Sequence, residues 1–260
     1  MDYLIFRLYG ALASWGEIAV GESRHTATYP GKSAIIGLLG AALGLKRDSE
    51  AIQERLQQGY ELAVEVISMG QPLRDYHTTQ VPDSVGKFNY RTRRDELVLG
   101  KERLGTILSS REYRCDMLAL VAIKASSDAP YSLADLKAHL LNPKFHLYLG
   151  RKSCPLSAPL DPQLVENKAH YYDVFKAYQH KPILPTHDEE KGGLSKRDFI
   201  WLGQSKDRHY YWEGQAEEFS DNLDLISRRQ TRTRRDQPLS RKRWQFSSRQ
   251  EHYLFWQGEE

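Results

Sequence analysis

The sequence is poor in the residues from which disulfide frameworks and metal sites are built. Its 260 residues include only two cysteines, Cys115 and Cys154, too few for a disulfide scaffold or a cysteine metal cluster. The nine histidines show neither an H-E-x-x-H pattern nor a Cys/His ligand spacing, so no metal and no other cofactor is expected. We predict two buried thiols in a reducing compartment.

Long hydrophobic runs and an excess of charge of one sign are also missing. The longest apolar run, residues 34–45, is far short of the roughly 20 residues that cross a bilayer. The N-terminal MDYLIFRLYG lacks the basic region and long apolar core of a signal peptide. The formal net charge is only +3. We therefore expect a cytoplasmic protein that does not bind a membrane.

The stretch TATYPGKSAIIGLLGAALGL, residues 26–45, partly matches a phosphate-binding loop. The full pattern, G-x-x-x-x-G-K-[ST], surrounds phosphates with backbone N–H groups. Here the first glycine is replaced by Thr26, and Pro30 before Gly31 has no N–H to donate. A nucleotide hydrolase is therefore disfavoured. Instead, Lys32 and Ser33 are predicted to begin a core helix whose N-terminal end is free for a ligand. Its glycine face is expected to pack closely on a sheet and consists of Gly37, Gly40 and Gly44.

The order of predicted elements indicates an α+β fold. It comprises a strand at residues 3–9, the glycine-bearing helix, a helix at 49–58, strands at 60–70 and 111–126, a helix at 132–141 and a strand at 144–150. The helix at 132–141 begins with a capping pair, Ser132 and Asp135. This β-α-β-β-α-β order is the ferredoxin-like unit, which RNA-recognition modules share.

Two domains are predicted from the change in composition after the last of these elements. Residues 1–150 form the ferredoxin-like, RRM-like domain. Residues 151–260 form a small β-rich module with short strands such as DFIWLG (198–203) and HYYWEG (209–214).

A long polar insertion at residues 74–112 separates the two middle strands, where a short hairpin loop would suffice. Loops of this length are usually functional or disordered, and a solvated flexible loop is the alternative interpretation. Cations interleaved with stackable rings are typical of single-stranded nucleic-acid binding. The cations are Lys87, Arg91, Arg93 and Arg94, and the rings are Tyr76, His77, Phe88 and Tyr90.

A second basic passage, residues 227–244, contains one acid, Asp236, among many arginines. Such a block is typical of a nucleic-acid or polyanion surface. Strand-like apolar spacing resumes directly after it, which favours an ordered binding surface over a free tail.

Catalytic signatures are few. The sequence has no G-x-S-x-G elbow and no D-x-D-type cluster for two-metal phosphodiester chemistry. A metal-independent ribonuclease remains an alternative, with His77 or His25, a lysine and a tyrosine as acid and base. A general single-strand RNA-binding protein is a second alternative.

Six motifs, in this order, resemble the Cas5 family of type I-E CRISPR Cascade, an RNA-guided surveillance complex. They are ASWG (13–16), YPGKSAIIGLLGAALGLKRD (29–48), LRDYHT (73–78), SREYRCD (110–116), YLGRKSCPLSAPL (148–160) and WQFSSRQEHYL (244–254). Family members of the type I-C branch cut precursor CRISPR RNA, but RKSCPL and LRDYHT resemble the non-cutting branch.

The resemblance implies a non-catalytic subunit that caps the 5′ handle of the CRISPR RNA. It implies a β-hairpin thumb at residues 74–112. Its neighbours would be the Cascade backbone subunit and the large PAM-reading subunit, with target DNA contacted indirectly. The thumb would contribute Lys87, Arg91, Arg93 and Arg94. The other implied handle-binding residues are Arg24, His25, Lys32, Ser33, Arg74, Tyr76, His77, Tyr148, Arg151, Lys152 and Ser153.

The passage 227–244 is longer and more arginine-rich than the resemblance implies. Its partner could be the handle, target DNA or a neighbouring subunit, and the sequence does not decide among them.

Overall fold

The computed structural model describes residues 1–17, 19, 21–46, 48–84, 89–98, 100–183, 194–202, 206–240, 243 and 245–258. The strands are β1 Tyr3–Ala13, β2 Trp15–Gly16, β3 Ser23–Arg24, β4 Thr26–Ala27, β5 Tyr60–Ser68, β6 Gln71–Pro82, β7 Leu104–Ala125, β8 Gln163–Val165, β9 Arg208–Trp212, β10 Gln230–Ser240 and β11 Gln245–Trp256. The helices are α1 Lys32–Leu43, α2 Glu50–Gln58, α3 Arg93–Leu97, α4 Leu133–Leu141, α5 Tyr171–Ala177, α6 Lys196–Leu202 and α7 Leu223–Ser227.

Nine of these strands form one large sheet, in the order β10-β11-β9-β5-β7-β1-β8, with β3 and β6 also paired to β7. Every pairing along the main path is antiparallel. The 22-residue β7 is the longest element. Its second half lies between β1 and β5, while its first half pairs with β6 to form a long hairpin. The structure is thus a mixed α/β fold built on an antiparallel sheet.

Strands from both predicted domains share this sheet. The strand β8 pairs with β1 at one end, and β9 pairs with β5 toward the other. The predicted division at residue 150 therefore does not coincide with a break in the sheet.

Two predicted strands are wrong. Residues 144–150 contain only an isolated bridge, from Tyr148 to Pro155, because the backbone N–H groups of Lys144 and Phe145 bond to carbonyls at the end of α1. Of the predicted strand 198–203, residues 198–202 lie in α6, and Gly203 lies outside the described residues. The helix begins there because Ser195 and Asp198 form a capping pair (Ser195 N–H to Asp198 Oδ2, 2.8 Å).

The centre of the sheet is buried on both faces, as the alternation along β1 shows. Leu4 and Phe6 belong to a core shared with α1 and α4. Tyr3 and Ile5 belong to a second core with α5 and Trp212 of β9. Because side chains of a strand alternate between faces, an all-buried strand requires cover on both sides.

The glycines of α1 do not pack on the sheet, contrary to the prediction. The helix buries its larger residues instead, Ile35, Ile36, Leu38, Leu39 and Leu43. Gly37 and Gly40 line an open groove. Gly44 lies beyond the helix end, with φ of 76°, and its N–H bonds to the Ala41 and Gly40 carbonyls. A left-handed residue at this position is a common helix stop.

A carboxyl group in the middle of β5 has an unusual environment. The Glu65 side chain accepts a hydrogen bond from the Tyr210 hydroxyl at 3.2 Å and lies 3.5 Å from Arg208 Nε. Burial raises the pKa of Glu65 to about 7, although Arg208 opposes the rise. The folded protein therefore retains this proton over a range in which the unfolded chain has lost it.

This proton gives a pH-dependent stability. Between the unfolded pKa of 4.5 and the folded pKa of about 7, the folded state binds more protons, so stability falls as pH rises through that window. We expect wild type to lose on the order of 2 kcal/mol between about pH 5 and pH 8 relative to Glu65→Gln. Urea unfolding of both proteins across this range measures the difference. Parallel stability curves would contradict the assignment.

Candidate nucleic-acid interface

A groove of about 2050 Å³ lies along the open face of α1. Its other walls are the loop around residues 16–24, the segment 145–152 and the β10–β11 hairpin. Ala34, Gly37 and Ala41 supply the floor. Because these side chains are small, a ligand can approach the helix backbone closely.

The groove walls combine cations with rings. Among the described residues that line the groove, five are Lys or Arg and two are acidic. The rings come from Phe145, His146, Tyr148 and Phe246. Positive charge beside aromatic rings suits single-stranded nucleic acid, whose phosphates and bases need both.

Four of the residues predicted from the sequence line this groove, namely Arg24, Ser33, Tyr148 and Lys152. The turn that places the last two is fixed by Gly150, whose φ is 83° and where an added Cβ would lie 1.9 Å from the Ser14 carbonyl oxygen. The exposed Ser153 is in the same turn, and its hydroxyl lies 3.9 Å from the Cys154 sulfur.

Arg151 connects this turn to the hairpin base. Its guanidinium carbon lies 5.0 Å from the centre of the Tyr113 ring on β7, within cation–π range. Nη2 reaches the Arg24 carbonyl at 3.4 Å. Nη1 is shielded from solvent, with no hydrogen-bond partner among the described residues. The side chain is therefore positioned by its neighbours but retains donor capacity.

His25 and Arg74 share one carboxylate at the base of the β6–β7 hairpin. His25 Nδ1 lies 3.2 Å and Arg74 Nη2 3.0 Å from Glu112 Oε1. The hydrogen bond from Arg74 holds the pKa of Glu112 below its usual value. Both side chains remain exposed, at 52% and 68%, so both have surface available to a ligand at the hairpin base.

The predicted residues of the β6–β7 hairpin beyond Arg74 that the structure describes do not line the groove. Tyr76 is exposed on β6 beside His77, whose Nε2 lies 2.5 Å from Asp75 Oδ2. Arg93 begins α3 and donates to Glu96 at 2.5 Å and to the Gln80 carbonyl at 2.8 Å. Arg91 and Arg94 are exposed near it. Lys87 lies outside the described residues.

Lys32 is directed into the protein, which weighs against its predicted role. Its Nζ lies 2.7 Å from Glu213 Oε2 and donates to the Tyr60 carbonyl at 3.1 Å, and its side chain is 10% exposed. Its backbone N–H donates to Asp236 Oδ2 at 3.0 Å. The N-terminus of α1 thus holds an anion, but that anion is a carboxylate of the same chain.

Arg249 is the centre of this ionic cluster. Its guanidinium contacts Asp236 at 2.6 Å, Glu251 at 2.5 Å and Glu213 at 3.1 Å, and the side chain is 8% exposed. Burial opposes ionisation of Asp236, yet the hydrogen bonds of Arg249 hold its pKa below the usual value. The cluster fixes the β10–β11 hairpin against the start of α1.

Several groove residues were not predicted individually. Phe145 and His146 were assigned to a strand, and no local pattern marks them as a wall. Arg235 was part of the basic passage, whose members the sequence does not separate. Phe246 belongs to the WQFSSRQEHYL motif, but only the tertiary structure places it at the groove.

The described residues contain no group of three His, Cys, Asp or Glu side chains close enough to hold a metal ion. None of the helices within the described ranges has the length and apolar character required to cross a bilayer.

Comparisons with known proteins identify the family. The family described as CRISPR-associated protein (Cas_Cas5) matches residues 3–251. CRISPR system Cascade subunit CasD of Escherichia coli (strain K12) is 35% identical over 167 residues, covering 61% of this chain and 69% of the relative.

Two solved structures share the fold. A chain of a CRISPR RNA-guided surveillance complex superposes with a TM-score of 0.64 at 22% identity, covering 98% of this chain and 90% of that one. A second, described as a Cas protein, gives 0.52 at 23% identity, covering 96% and 94%. With a family match over nearly the whole sequence, the chain belongs to the Cas5 family of CRISPR-associated proteins.

Proposed function

We propose that this protein is a non-catalytic subunit of a Cascade-type complex that binds and caps the 5′ handle of CRISPR RNA. The observation that carries the proposal is the groove, where cations and rings surround a floor of small residues. The name of the Escherichia coli relative, a Cascade subunit, gives the biological setting.

Different groove residues suit the phosphates and the bases of the RNA. Arg24 and Lys152 bind phosphates, and Arg151 adds a donor at the hairpin base. Tyr148 and Phe145 stack on bases, since single-stranded RNA exposes base faces to aromatic side chains. Phosphate contacts supply affinity, while base contacts discriminate the handle from other RNA.

The architecture suggests how the guide is enclosed. The strand order β8-β1-β7-β5, with α1 and α4 as helices, supports the assignment of a ferredoxin-like unit. We infer that this unit closes with β8, and that β9–β11 form the β-rich module continuing its sheet. The β6–β7 hairpin is the thumb, and its cations Arg91, Arg93 and Arg94 contact the guide.

The same proposal includes the predicted partners and compartment. The hairpin end exposes apolar side chains, among them Val98 and Ile107 at 70% and 50%. Exposed apolar surface suits a subunit that is covered in an assembly. We propose that the Cascade backbone subunit and the large PAM-reading subunit cover this apolar surface. We place the assembly in the cytoplasm.

The test incubates purified protein with labelled precursor CRISPR RNA in EDTA and resolves binding and cleavage on gels. We expect an intact, shifted RNA whose binding requires the 5′ handle and weakens steeply with salt. Equal binding to RNA lacking the handle would instead indicate a general single-strand binder.

A processing ribonuclease is the second candidate, because each candidate histidine is paired with a carboxylate: His25 with Glu112, and His77 with Asp75. Such pairs can orient an imidazole for proton transfer. Cleavage at one position in EDTA, abolished by His25→Ala or His77→Ala, would replace the capping proposal.

A further inference from the structure

The arginine-rich passage 227–244 separates into structural and exposed residues on β10. Arg234 borders the groove, but internal contacts hold its side chain: its guanidinium carbon lies 4.4 Å from the centre of the Tyr29 ring, and its Nε lies 3.7 Å from Asp236 Oδ2. Its side chain is 17% exposed. The neighbouring Arg235 is exposed and lines the groove.

A β-bulge in β10 follows Arg234 and includes Arg235. Arg234 pairs with Arg249 and Gln237 with Ser247, so the two β10 residues between them face only one β11 residue. Bulges bend a strand and redirect its side chains. Here Asp236 reaches the start of α1, while Arg235 stays at the surface. The internal ion cluster therefore holds the bulge in place.

One nitrogen of Arg235 is already fixed. Its Nε donates to the Phe246 carbonyl at 3.2 Å, which holds the guanidinium along the hairpin wall of the groove. Phe246 and Leu239 line the groove beside it. A guanidinium held in this way loses less freedom on binding an anion than a mobile side chain does.

We propose that Arg235 binds the phosphodiester backbone of the RNA strand in the groove, so that the C-terminal hairpin is a second wall of the RNA site. This inference rests on the proposed function. A phosphate chain is the occupant because the other groove walls carry Arg24, Lys46 and Lys152. A ligand spanning the groove meets positive charge on both sides.

The experiment measures the affinity of Arg235→Ala for handle-containing RNA by fluorescence anisotropy over a salt series. The matched control is Arg228→Ala, an exposed arginine outside the groove. We expect Arg235→Ala to bind about 5–20-fold more weakly and the log–log salt slope to fall by about 0.7, one phosphate contact of a single strand. Arg228→Ala should match wild type, and thermal melts of all three should coincide.

Two outcomes overturn the inference while the proposed function stands. One is unchanged RNA affinity and salt slope in Arg235→Ala. The other is a loss confined to duplex DNA, which would assign the hairpin wall to target DNA. Failure of wild type itself to bind handle RNA would reject the proposed function and the inference together.

Discussion

Replacing Arg249 with methionine is expected to lower the free energy of unfolding by about 3–5 kcal/mol. The substitution leaves Asp236, Glu213 and Glu251 close together without their common cation, and Glu213 and Glu251 are almost fully buried. Uncompensated buried charge is among the most destabilising changes in proteins. Denaturant unfolding followed by circular dichroism measures the loss.

The control is Arg243→Met, because Arg243 is an exposed arginine in the connection between β10 and β11. It should change stability by no more than about 0.5 kcal/mol. Adding Glu251→Gln to Arg249→Met should recover part of the loss, since a buried carboxylate that lost its contact with Arg249 is then neutral, whereas Glu213 keeps Lys32. Equal stability of Arg249→Met and wild type would show that the cluster does not hold the hairpin.

The triple variant Arg24→Ala, Arg151→Ala, Lys152→Ala is expected to bind handle RNA about 100–1000-fold more weakly than wild type. A hydrogen bond to a charged group contributes roughly 1.5–3 kcal/mol after desolvation, and the lower end of that range is about tenfold for each residue. Arg24 and Lys152 line the groove. Arg151 contacts both the Arg24 carbonyl and the Tyr113 ring. Electrophoretic mobility shift at low salt measures the affinity.

A matched triple variant controls for the change in net charge. Lys196, Arg197 and Arg228 are exposed and lie outside the groove. Their replacement by alanine should reduce affinity no more than the general loss of positive charge predicts. If both triple variants bind equally well, the groove is not the RNA site and the hairpin thumb becomes the next surface to test.

Local patterns predicted much of the fold. Alternation marked β1, β5 and the buried half of β7, and Ser132 with Asp135 marked the start of α4, where both reciprocal capping bonds are present. These features depend on residues within a few positions of one another. The same local reasoning failed at residues 144–150, because backbone bonds to α1 replaced the strand ladder there.

The candidate site was predicted in part. The Gly-Lys-Ser stretch contributed Ser33, and the motif YLGRKS contributed Tyr148 and Lys152, which the structure brings to one groove with Arg24. The glycines of α1 were noticed but assigned to sheet packing, since a small-residue face has the same pattern whether it meets a sheet or an open groove. The direction of that face depends on which side of the helix carries the larger apolar residues.

The sequence by itself determined the family, through six motifs in order, and the strands and helices whose pattern is local. Only the tertiary structure decided what the Gly-Lys-Ser stretch binds. Lys32 and Asp236 are 204 positions apart, and their contact exists because the β10–β11 hairpin folds back onto the start of α1. The sequence shows that Asp236 is acidic but does not show what it contacts. In the folded protein, Arg249 holds the Asp236 carboxylate at the N-terminus of α1, where it accepts the Lys32 N–H.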